Sequence, residues 1–157
     1  GIFFTIQDEK VLVNKFRENL ELYFDSITRG EEFKKSSSKK EILWVDDRPE
    51  NNVYERNILE KYGLTFSLAL STQQALHYMK HNKFALIISD MGRKEGIREG
   101  YVLLEEIRKM DKKIPFIIYA GSNKKEHVDE ALRRGAQGCT NNPGELIDLV
   151  LKNLLKN

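Results

Sequence analysis

The stretch FALIISD, residues 84–90, decides the fold, because it is an apolar run of strand length that ends in an acid. Two further runs share this composition, EILWVD at 41–46 and IPFIIYA at 114–120. Strands that are apolar at nearly every position belong to parallel sheets that are covered on both faces. Such sheets carry their sites outside the carboxyl ends of the strands. We therefore expect Asp90 to lie at the edge of the sheet that bears a site.

On both sides of this stretch, short apolar runs alternate with helical patterns, which gives five strand–helix units. The predicted strands are 41–46, 64–70, 84–90, 114–120 and 136–140, and the predicted helices are 50–62, 71–81, 101–110, 124–134 and 143–155. Gly63 and Gly135 are natural helix ends, and Pro143 stands in a first turn, where proline is tolerated. Because crossovers are right-handed, this order predicts an α/β fold with a doubly wound five-stranded parallel sheet.

The chain divides near residue 40. Residues 28–40 are rich in small and charged side chains, which is typical of an exposed linker. Before them, residues 1–27 combine a short apolar strand with a helix. The apolar face of that helix consists of Leu12, Phe16, Leu20, Phe24 and Ile27. One strand and one helix cannot bury this face alone. We expect 1–27 to be a fragment of an upstream region that packs on the main domain at 41–157, on a missing domain, or on a second chain as a homodimer.

Composition limits the classes of function. The net charge of the 157 residues is only +2, which is too small to indicate nucleic acid or an anionic membrane as a partner. No apolar run is long enough to span a bilayer, and the first residues lack the pattern of a signal peptide. The single cysteine, Cys139, cannot form an internal disulfide. These features predict a soluble protein in a reducing, cytoplasmic setting.

Acidic residues end two of the predicted strands. Asp46 and Asp47 end the first strand, and Asp90 ends the third. These strands should be neighbours, so their carboxylates should converge and repel one another unless a cation neutralises them or their pKa values rise. Oxygen ligands in an open, wet site suit Mg²⁺. A carboxylate beside such a metal can attack phosphorus and form an acyl phosphate.

Taken together, these motifs resemble the receiver domain of two-component response regulators across residues 41–157. The matching motifs are ILWVDD (42–47), LIISD (86–90), Gly100 with Leu103, Leu104 and Ile107 after it, PFIIYAG (115–121), and Gly135–Ala136 with Gly138 and Asn142–Pro143. The resemblance implies a flavodoxin-like receiver fold and a signal-transduction function. It implies that Asp90 is the phosphoacceptor, and that Asp46, Asp47 and the backbone carbonyl of Gly92 hold Mg²⁺. Tyr119 falls near the family's aromatic switch position.

The resemblance also implies partners. A histidine kinase or a phosphotransfer protein would supply the phosphoryl group, and an upstream output domain or a separate protein would receive the signal. The domain would not be an enzyme, beyond catalysing its own aspartyl phosphorylation and dephosphorylation.

Two positions depart from the family pattern. Ala120 stands where the family has Thr or Ser, and Asn142 stands where it has Lys. Both changes remove donors to the same anion, and a hydrogen bond to a charged group contributes about 1.5–3 kcal/mol. We expect Ser122 and the Asn142 amide to supply donors near the phosphate, although neither restores the charge.

The loop after Asp90 is basic. It contains Arg93, Lys94 and Arg98, and it lacks the family's Met–Pro turn. Our hypothesis is that one of these three side chains swings back to the site as a substitute cation.

Other interpretations stay open. The chain could be a pseudo-receiver, a protein–protein interaction domain without phosphotransfer, which Ala120 and Asn142 favour and the intact acids oppose. Asp46 could instead cap the next helix while Asp90 is merely solvated. A metal-dependent phosphohydrolase is disfavoured, because its two acids usually lie two residues apart. His77 and His81 have a zinc-ligand spacing without a nearby third ligand, so a solvated helix face is the better interpretation.

Overall fold

The computed structural model describes residues 14–15, 17–22 and 40–155. Five strands in this part of the chain form one parallel sheet in the order β2-β1-β3-β4-β5. They are β1 (Lys40–Val45), β2 (Leu64–Ala69), β3 (Leu86–Ser89), β4 (Phe116–Tyr119) and β5 (Gly138–Thr140). The sequence order changes direction between β1 and β3, which confirms the predicted doubly wound α/β fold and puts a switch point between these two strands.

Five α-helices connect and follow the strands. They are α1 (Val53–Glu60), α2 (Thr72–His81), α3 (Glu99–Met110), α4 (Lys125–Arg133) and α5 (Pro143–Leu155). A 3₁₀ turn, Pro49–Asn52, precedes α1, so the predicted helix at 50–62 is α-helical only in its middle part. Ser71 caps α2 by accepting a hydrogen bond from the Gln74 amide. The chain leaves α1 and α4 at Gly63 and Gly135, whose φ angles of 86° and 103° favour glycine.

Alternate residues of the strands face opposite layers. In β1, Ile42 and Trp44 belong to one core cluster with residues of α1 and α5. Their neighbours Leu43 and Val45 belong to a second cluster with residues of α2, α3 and α4. All four side chains are at most 2% exposed. Burying a side chain of this size contributes about 1.5–3 kcal/mol, so the sheet is held from both faces.

The predicted strands extend one or two residues beyond the observed ones. The extra residues still form sheet-like hydrogen bonds, as the Ala85 amide does with the Glu41 carbonyl at 2.8 Å. At the other ends, the first residue past a strand is also tied to the neighbouring strand. The carboxyl ends of β1, β3 and β4 therefore hold the residues that follow them in fixed places.

Little of the N-terminal segment is described. Residues 14–15 and 17–22 are helical, in agreement with the predicted helix. Leu22 packs against the core cluster shared by α1 and α5, whereas Leu20 is 40% exposed. The rest of 1–27, and the predicted linker up to residue 39, lie outside the described residues. Lys40 begins β1 rather than ending the linker, and its ammonium donates to the Leu154 carbonyl at 3.1 Å.

Candidate functional site

Three acids meet where the switch point of the sheet predicts a site. The Asp46 amide donates to the Ala69 carbonyl at 2.9 Å, and the Asp90 amide donates to the Val45 carbonyl at 3.0 Å. These bonds hold both residues at the carboxyl ends of β1 and β3. One carboxylate oxygen from each of Asp46, Asp47 and Asp90 lies within 4.8 Å of the others. The structure thus brings the predicted acids together.

The acids line an open cavity of about 830 Å³, which we call the acidic cavity. Its walls also include Arg48, Asn51, Asn52, Gly92, Arg93, Lys94, Ile97, Tyr119, Ala120, Gly121 and Asn141. Of the predicted site residues, Gly92 and Ala120 line this cavity, and Ser122 and Asn142 do not.

The Asp46 carboxylate is oriented by its neighbours. One oxygen accepts a hydrogen bond from the Arg48 amide at 2.8 Å, and the other accepts from the Asn52 side-chain amide at 2.8 Å. The first bond closes a turn just ahead of the 3₁₀ turn, and no side chain caps that turn or α1, so Asp46 does not cap the next helix. Both bonds leave the carboxylate able to accept further partners in the cavity, since each oxygen has a second lone pair.

Asp47 is tied to the loop between β3 and α3. Its Oδ2 accepts a hydrogen bond from the Lys94 backbone amide at 3.0 Å. Lys94 belongs to a tight hairpin in which Arg93 and Gly96 exchange backbone hydrogen bonds of 2.9 and 3.0 Å. This hairpin therefore borders the acidic cavity on the Asp47 side.

Asp90 is the most buried of the three acids and is paired with an arginine. Its Oδ1 accepts a hydrogen bond from Arg93 Nη1 at 2.5 Å, and the Arg93 side chain is fully buried. Arg98 instead pairs with Glu130 on α4 at 2.6 Å, away from the cavity. Arg93 is thus the basic loop residue that reaches Asp90, and Asp90 is not merely solvated.

The electrostatics of Asp90 are dominated by its burial. Desolvation raises the pKa of Asp90 to about 7, against the lowering effect of Arg93, and the charges of Asp46 and Asp47 raise it further. A carboxyl group with such a pKa is only partly ionised at neutral pH. A second cation in the acidic cavity would favour the carboxylate form.

Glycine permits the close approach of α3 to this site. The Gly100 amide donates to the Met91 carbonyl at 2.8 Å. A side chain at Gly100 would collide with the backbone carbonyl of Asp90. The glycine therefore lets the start of α3 lie directly against the end of β3.

The side of the cavity formed by β4 and β5 carries few donors. Ala120 offers no hydroxyl, and Asn141 is the β5-side residue on the wall. Asn142 instead begins α5, where its Oδ1 accepts from the Glu145 amide at 2.9 Å. Ser122 lies in a neighbouring cavity, where its hydroxyl is 2.6 Å from His127 Nδ1.

Tyr119 belongs to the core rather than to the α4 side. Its ring packs edge-on against Trp44 with the ring centroids 6.2 Å apart. Its hydroxyl donates to the Glu55 carboxylate, and burial raises the pKa of both groups. The side chain therefore points to the layer of α1 and α5.

Sequence reasoning missed Asn141, and the signal for it was available. Asparagine directly before proline is a favourable pair for a helix N-cap and first turn, so Asn142 is the expected cap of α5. Because Asn142 caps the helix, the residue before it, Asn141, is the one that lines the cavity. No comparable signal points to Asn52, the partner of Asp46, because a short 3₁₀ turn does not impose a regular spacing of apolar residues on the sequence.

The two histidines of α2 have their ring centroids 4.6 Å apart. Within the described residues, the acids of the cavity are the only group of three or more potential metal-ligating side chains. His77 and His81 therefore have no third ligand in this part of the chain. No helix in the described ranges combines the length and the apolar character that crossing a membrane requires.

This fold, with three acids at the β1–β3 switch point, defines a receiver-type signalling domain. The family model described as response regulator receiver domain matches residues 42–152, and the chain belongs to this family. Membership assigns the domain a role in signal transduction.

Two curated relatives are transcriptional regulators by name. The transcriptional regulatory protein ZraR of Escherichia coli K12 is 31% identical over 96 residues, which cover 61% of this chain and 21% of ZraR. The probable transcriptional regulator ycf29 of Porphyra purpurea is 32% identical over 115 residues, which cover 68% of this chain and 54% of ycf29. The chain thus spans about a fifth of one relative and about half of the other.

Solved structures agree with the fold. A CheY-like receiver domain protein from Methanospirillum hungatei JF-1 is 26% identical with a TM-score of 0.65, over 76% of this chain and 96% of that chain. A two-component response regulator from Clostridium difficile, 23% identical with a TM-score of 0.64, covers 75% of this chain and 97% of its own. The second likeness shows the fold alone.

Proposed function

We propose that this domain is a signal-transduction receiver in which Asp90 accepts a phosphoryl group. Asp46 and Asp47, with the backbone carbonyl of Gly92, would hold a divalent metal beside it. The observation that carries the proposal is the convergence of three carboxylates within 4.8 Å at the wall of an open cavity. Family membership supports the same assignment, because receivers of this family use an acidic pocket.

The donor set fits Mg²⁺. Carboxylate oxygens and a backbone carbonyl are hard ligands, and an open cavity leaves room for the waters that Mg²⁺ retains. The bonds from the Arg48 amide and the Asn52 side chain fix the orientation of Asp46 before any ion arrives. When bound, the metal would neutralise part of the acidic charge and polarise the phosphoryl group.

Asp90 is suited to act as the nucleophile. Its Oδ1 is held by Arg93, and none of the described residues donates a hydrogen bond to its Oδ2. In the proposed step, an Asp90 oxygen bonds to phosphorus while the donor's bond to the same phosphorus breaks. The leaving group takes the electron pair, and an acyl phosphate remains on Asp90. The donor would be a histidine kinase or a phosphotransfer protein.

The signal would leave through another domain or protein. ZraR and ycf29 both extend well beyond the region matched here, and both are named as transcriptional regulators. We therefore propose that an output region, either linked to this domain or separate from it, reads the state of Asp90. Beyond its own aspartyl phosphorylation and dephosphorylation, no enzymatic activity is part of this proposal.

Intact-mass spectrometry after incubation with acetyl phosphate and Mg²⁺ tests the proposed function. The wild-type protein should gain the mass of one phosphoryl group, and Asp90→Asn should gain none. Omission of Mg²⁺, or excess EDTA, should abolish the gain in the wild type. An unchanged wild-type mass under all conditions would contradict the proposal.

The second candidate is a pseudo-receiver that acts by protein–protein interaction alone. It is favoured by the β4–β5 side of the cavity, where Ala120 and Asn141 supply neither a hydroxyl nor an ammonium group. Titration with beryllium fluoride and Mg²⁺ separates the two. A receiver forms a one-to-one adduct that Asp90→Asn abolishes, whereas a pseudo-receiver forms none.

A further inference from the structure

Arg93 is buried although its neighbours in the loop are exposed. Its side chain has no solvent-accessible surface, while Lys94 and Glu95, which form the turn between Arg93 and Gly96, are exposed. The backbone bonds between Arg93 and Gly96 form the hairpin that directs this side chain inward. The conformation of the loop therefore determines the buried position of the Arg93 side chain.

Its guanidinium joins three elements of the fold. At the end of β3, Nη1 donates to Asp90 Oδ1 at 2.5 Å and to Ser89 Oγ at 3.3 Å. On α2, Nη2 donates to Thr72 Oγ1 at 2.6 Å. On α3, Nη2 donates to the Glu99 carbonyl at 3.4 Å. The remaining Nε donates to Glu95 at 3.1 Å, so every nitrogen of the fork has a partner.

Further bonds link the first turns of α2 and α3. The Thr72 hydroxyl donates to the Glu99 carboxylate at 2.9 Å. The Thr72 amide donates to the two Glu95 carboxylate oxygens at 3.3 and 3.4 Å. Displacement of Arg93 would therefore change the surroundings of both helix starts at once.

The charges around Asp90 indicate what the buried Arg93 side chain could do. A phosphoryl group attached to an Asp90 oxygen adds negative charge to a cavity that already holds Asp46 and Asp47. Asn141, on the β5 wall, brings no positive charge to meet it. Arg48 and Lys94 line the cavity but are exposed, so solvent screens them. Arg93 is the desolvated, already positioned cation among the described residues, and its planar fork matches phosphoryl oxygens as well as carboxylates.

We propose that Arg93 is the cation that stabilises the phosphoryl group on Asp90, and that it transmits occupancy of Asp90 to the first turns of α2 and α3. This inference rests on the proposed phosphoryl acceptance. When the group is attached, Nη1 turns from Asp90 Oδ1 to a phosphoryl oxygen, and Nη2 is drawn away from Thr72 and the Glu99 carbonyl. The output surface is then the α2–α3 side of the domain rather than the β4–α4 side.

Beryllium fluoride with Mg²⁺, which mimics the phosphoryl group, provides the first test. The affinity of the adduct should fall about tenfold or more in Arg93→Gln, because a charged donor is lost. It should fall less in Arg93→Lys, which keeps the charge without the fork. Lys112→Gln is the control, since it removes an exposed positive charge from the loop before β4, at the end of the sheet away from the cavity, and it should change the affinity less than about threefold.

Hydrogen–deuterium exchange with and without the adduct provides the second test. In the wild type, protection should change at the Thr72 and Gly96 amides and at the start of α3. Thr72→Val removes the hydroxyl that links Arg93 to Glu99 and keeps the shape of the side chain. This variant should still form the adduct, but the change at α3 should be smaller, because only the bond from Arg93 Nη2 to the Glu99 carbonyl remains. If Arg93→Gln does not fold, Arg93→Lys and Thr72→Val still decide the matter.

The outcomes separate the two levels of the proposal. If the wild type forms no adduct, the proposed function fails and this inference fails with it. If the wild type forms an adduct that Asp90→Asn abolishes and Arg93→Gln leaves as tight as before, only the inference is overturned. It is also overturned if the exchange changes are confined to β4 and α4.

Discussion

The two sides of the acidic cavity differ in what their side chains can bind. The β1–β3 side supplies Asp46, Asp47 and Asp90, whose carboxylate oxygens lie within 4.8 Å of one another. The β4–β5 side supplies Ala120 and Asn141. Each acid accepts a hydrogen bond from a defined donor, whereas the residues expected to donate from the other side are used elsewhere. Under the proposed function, one side thus supplies the carboxylates that would hold a metal, and the other supplies few donors for the phosphoryl group.

Under the proposed function, holding a metal and holding a phosphoryl group therefore make separate demands on the fold. The first depends on the ends of β1 and β3, which the parallel pairing of Val45 with Ser89 fixes. The second usually needs donors from across the cavity. Here a buried arginine enters from the β3–α3 loop, so the cation lies on the same side as the acids.

The largest expected effect is on the metal side. Asp47→Asn removes one of three carboxylate charges and keeps an oxygen that can accept from the Lys94 amide. The affinity for Mg²⁺, measured by isothermal titration calorimetry, should fall about ten- to hundredfold, as for disruption of other metal sites. Glu50→Gln, an exposed acid in the nearby 3₁₀ turn, is the control and should change the affinity little. Equal affinities for Asp47→Asn and the wild type would show that the cluster is not a metal site.

The next largest effect is an increase in phosphoryl-analogue affinity from a change on the β4–β5 side of the cavity. Ala120→Thr puts a hydroxyl on the cavity wall, where it can donate to a phosphoryl oxygen. The adduct with beryllium fluoride should become about tenfold tighter, since a hydrogen bond to a charged group contributes about 1.5 kcal/mol or more. Ala120→Val has nearly the same shape without the hydroxyl and should bring no gain. If both variants bind alike, the missing hydroxyl is not what limits this side.

A third prediction contrasts two adjacent asparagines. Asn142→Lys should destabilise the domain by about 1 kcal/mol without tightening the adduct, because Asn142 caps α5 through the Glu145 amide. Asn141→Lys should place an ammonium group at the cavity wall and tighten the adduct severalfold, with little change in stability. Urea denaturation and the beryllium fluoride titration measure the two quantities. The opposite pattern would mean that Asn142, and not Asn141, faces the phosphoryl group.

The sequence predicted the acidic side well, because that side follows from a simple pattern. Apolar strands of limited length have to end where polar residues begin, so Asp46, Asp47 and Asp90 were placed by the strand ends themselves. Parallel pairing at the switch point then brings them together without any detail of side-chain packing.

The β4–β5 side of the cavity depends on hydrogen bonds within loops, and the spacing of apolar residues in the sequence does not predict such bonds. Ser122 lies beside His127, and Asn142 is drawn into the cap of α5. The sequence predicted that a basic residue of the loop turns back to the site, but it did not indicate which of Arg93, Lys94 and Arg98 does so. Only the hairpin between Arg93 and Gly96 determines which one enters, and that hairpin depends on tertiary contacts with Asp47 and Thr72.

The smallest expected effect concerns Tyr119, which ends β4 beside Ala120 and serves the core. Burial raises the pKa of Glu55, its hydrogen-bond partner, above the usual value near 4.5. A raised pKa in the folded state means that the folded protein binds the proton more tightly than the unfolded chain does. The stability that this proton contributes is therefore complete below about pH 4.5 and is lost as the pH rises through the pKa of the folded state.

Glutamine does not titrate, so Glu55→Gln does not lose stability as the pH rises. Its melting temperature should therefore rise relative to that of the wild type between pH 4 and pH 7, by about 1–2 °C. Lys109→Gln, a change at an exposed helix position, should show no comparable trend. If Tyr119 only serves packing, neither Glu55→Gln nor Tyr119→Phe should alter the affinity for beryllium fluoride. A clear change in that affinity would instead make Tyr119 part of the phosphoryl side, and the contrast between the two sides of the cavity would have to be redrawn around it.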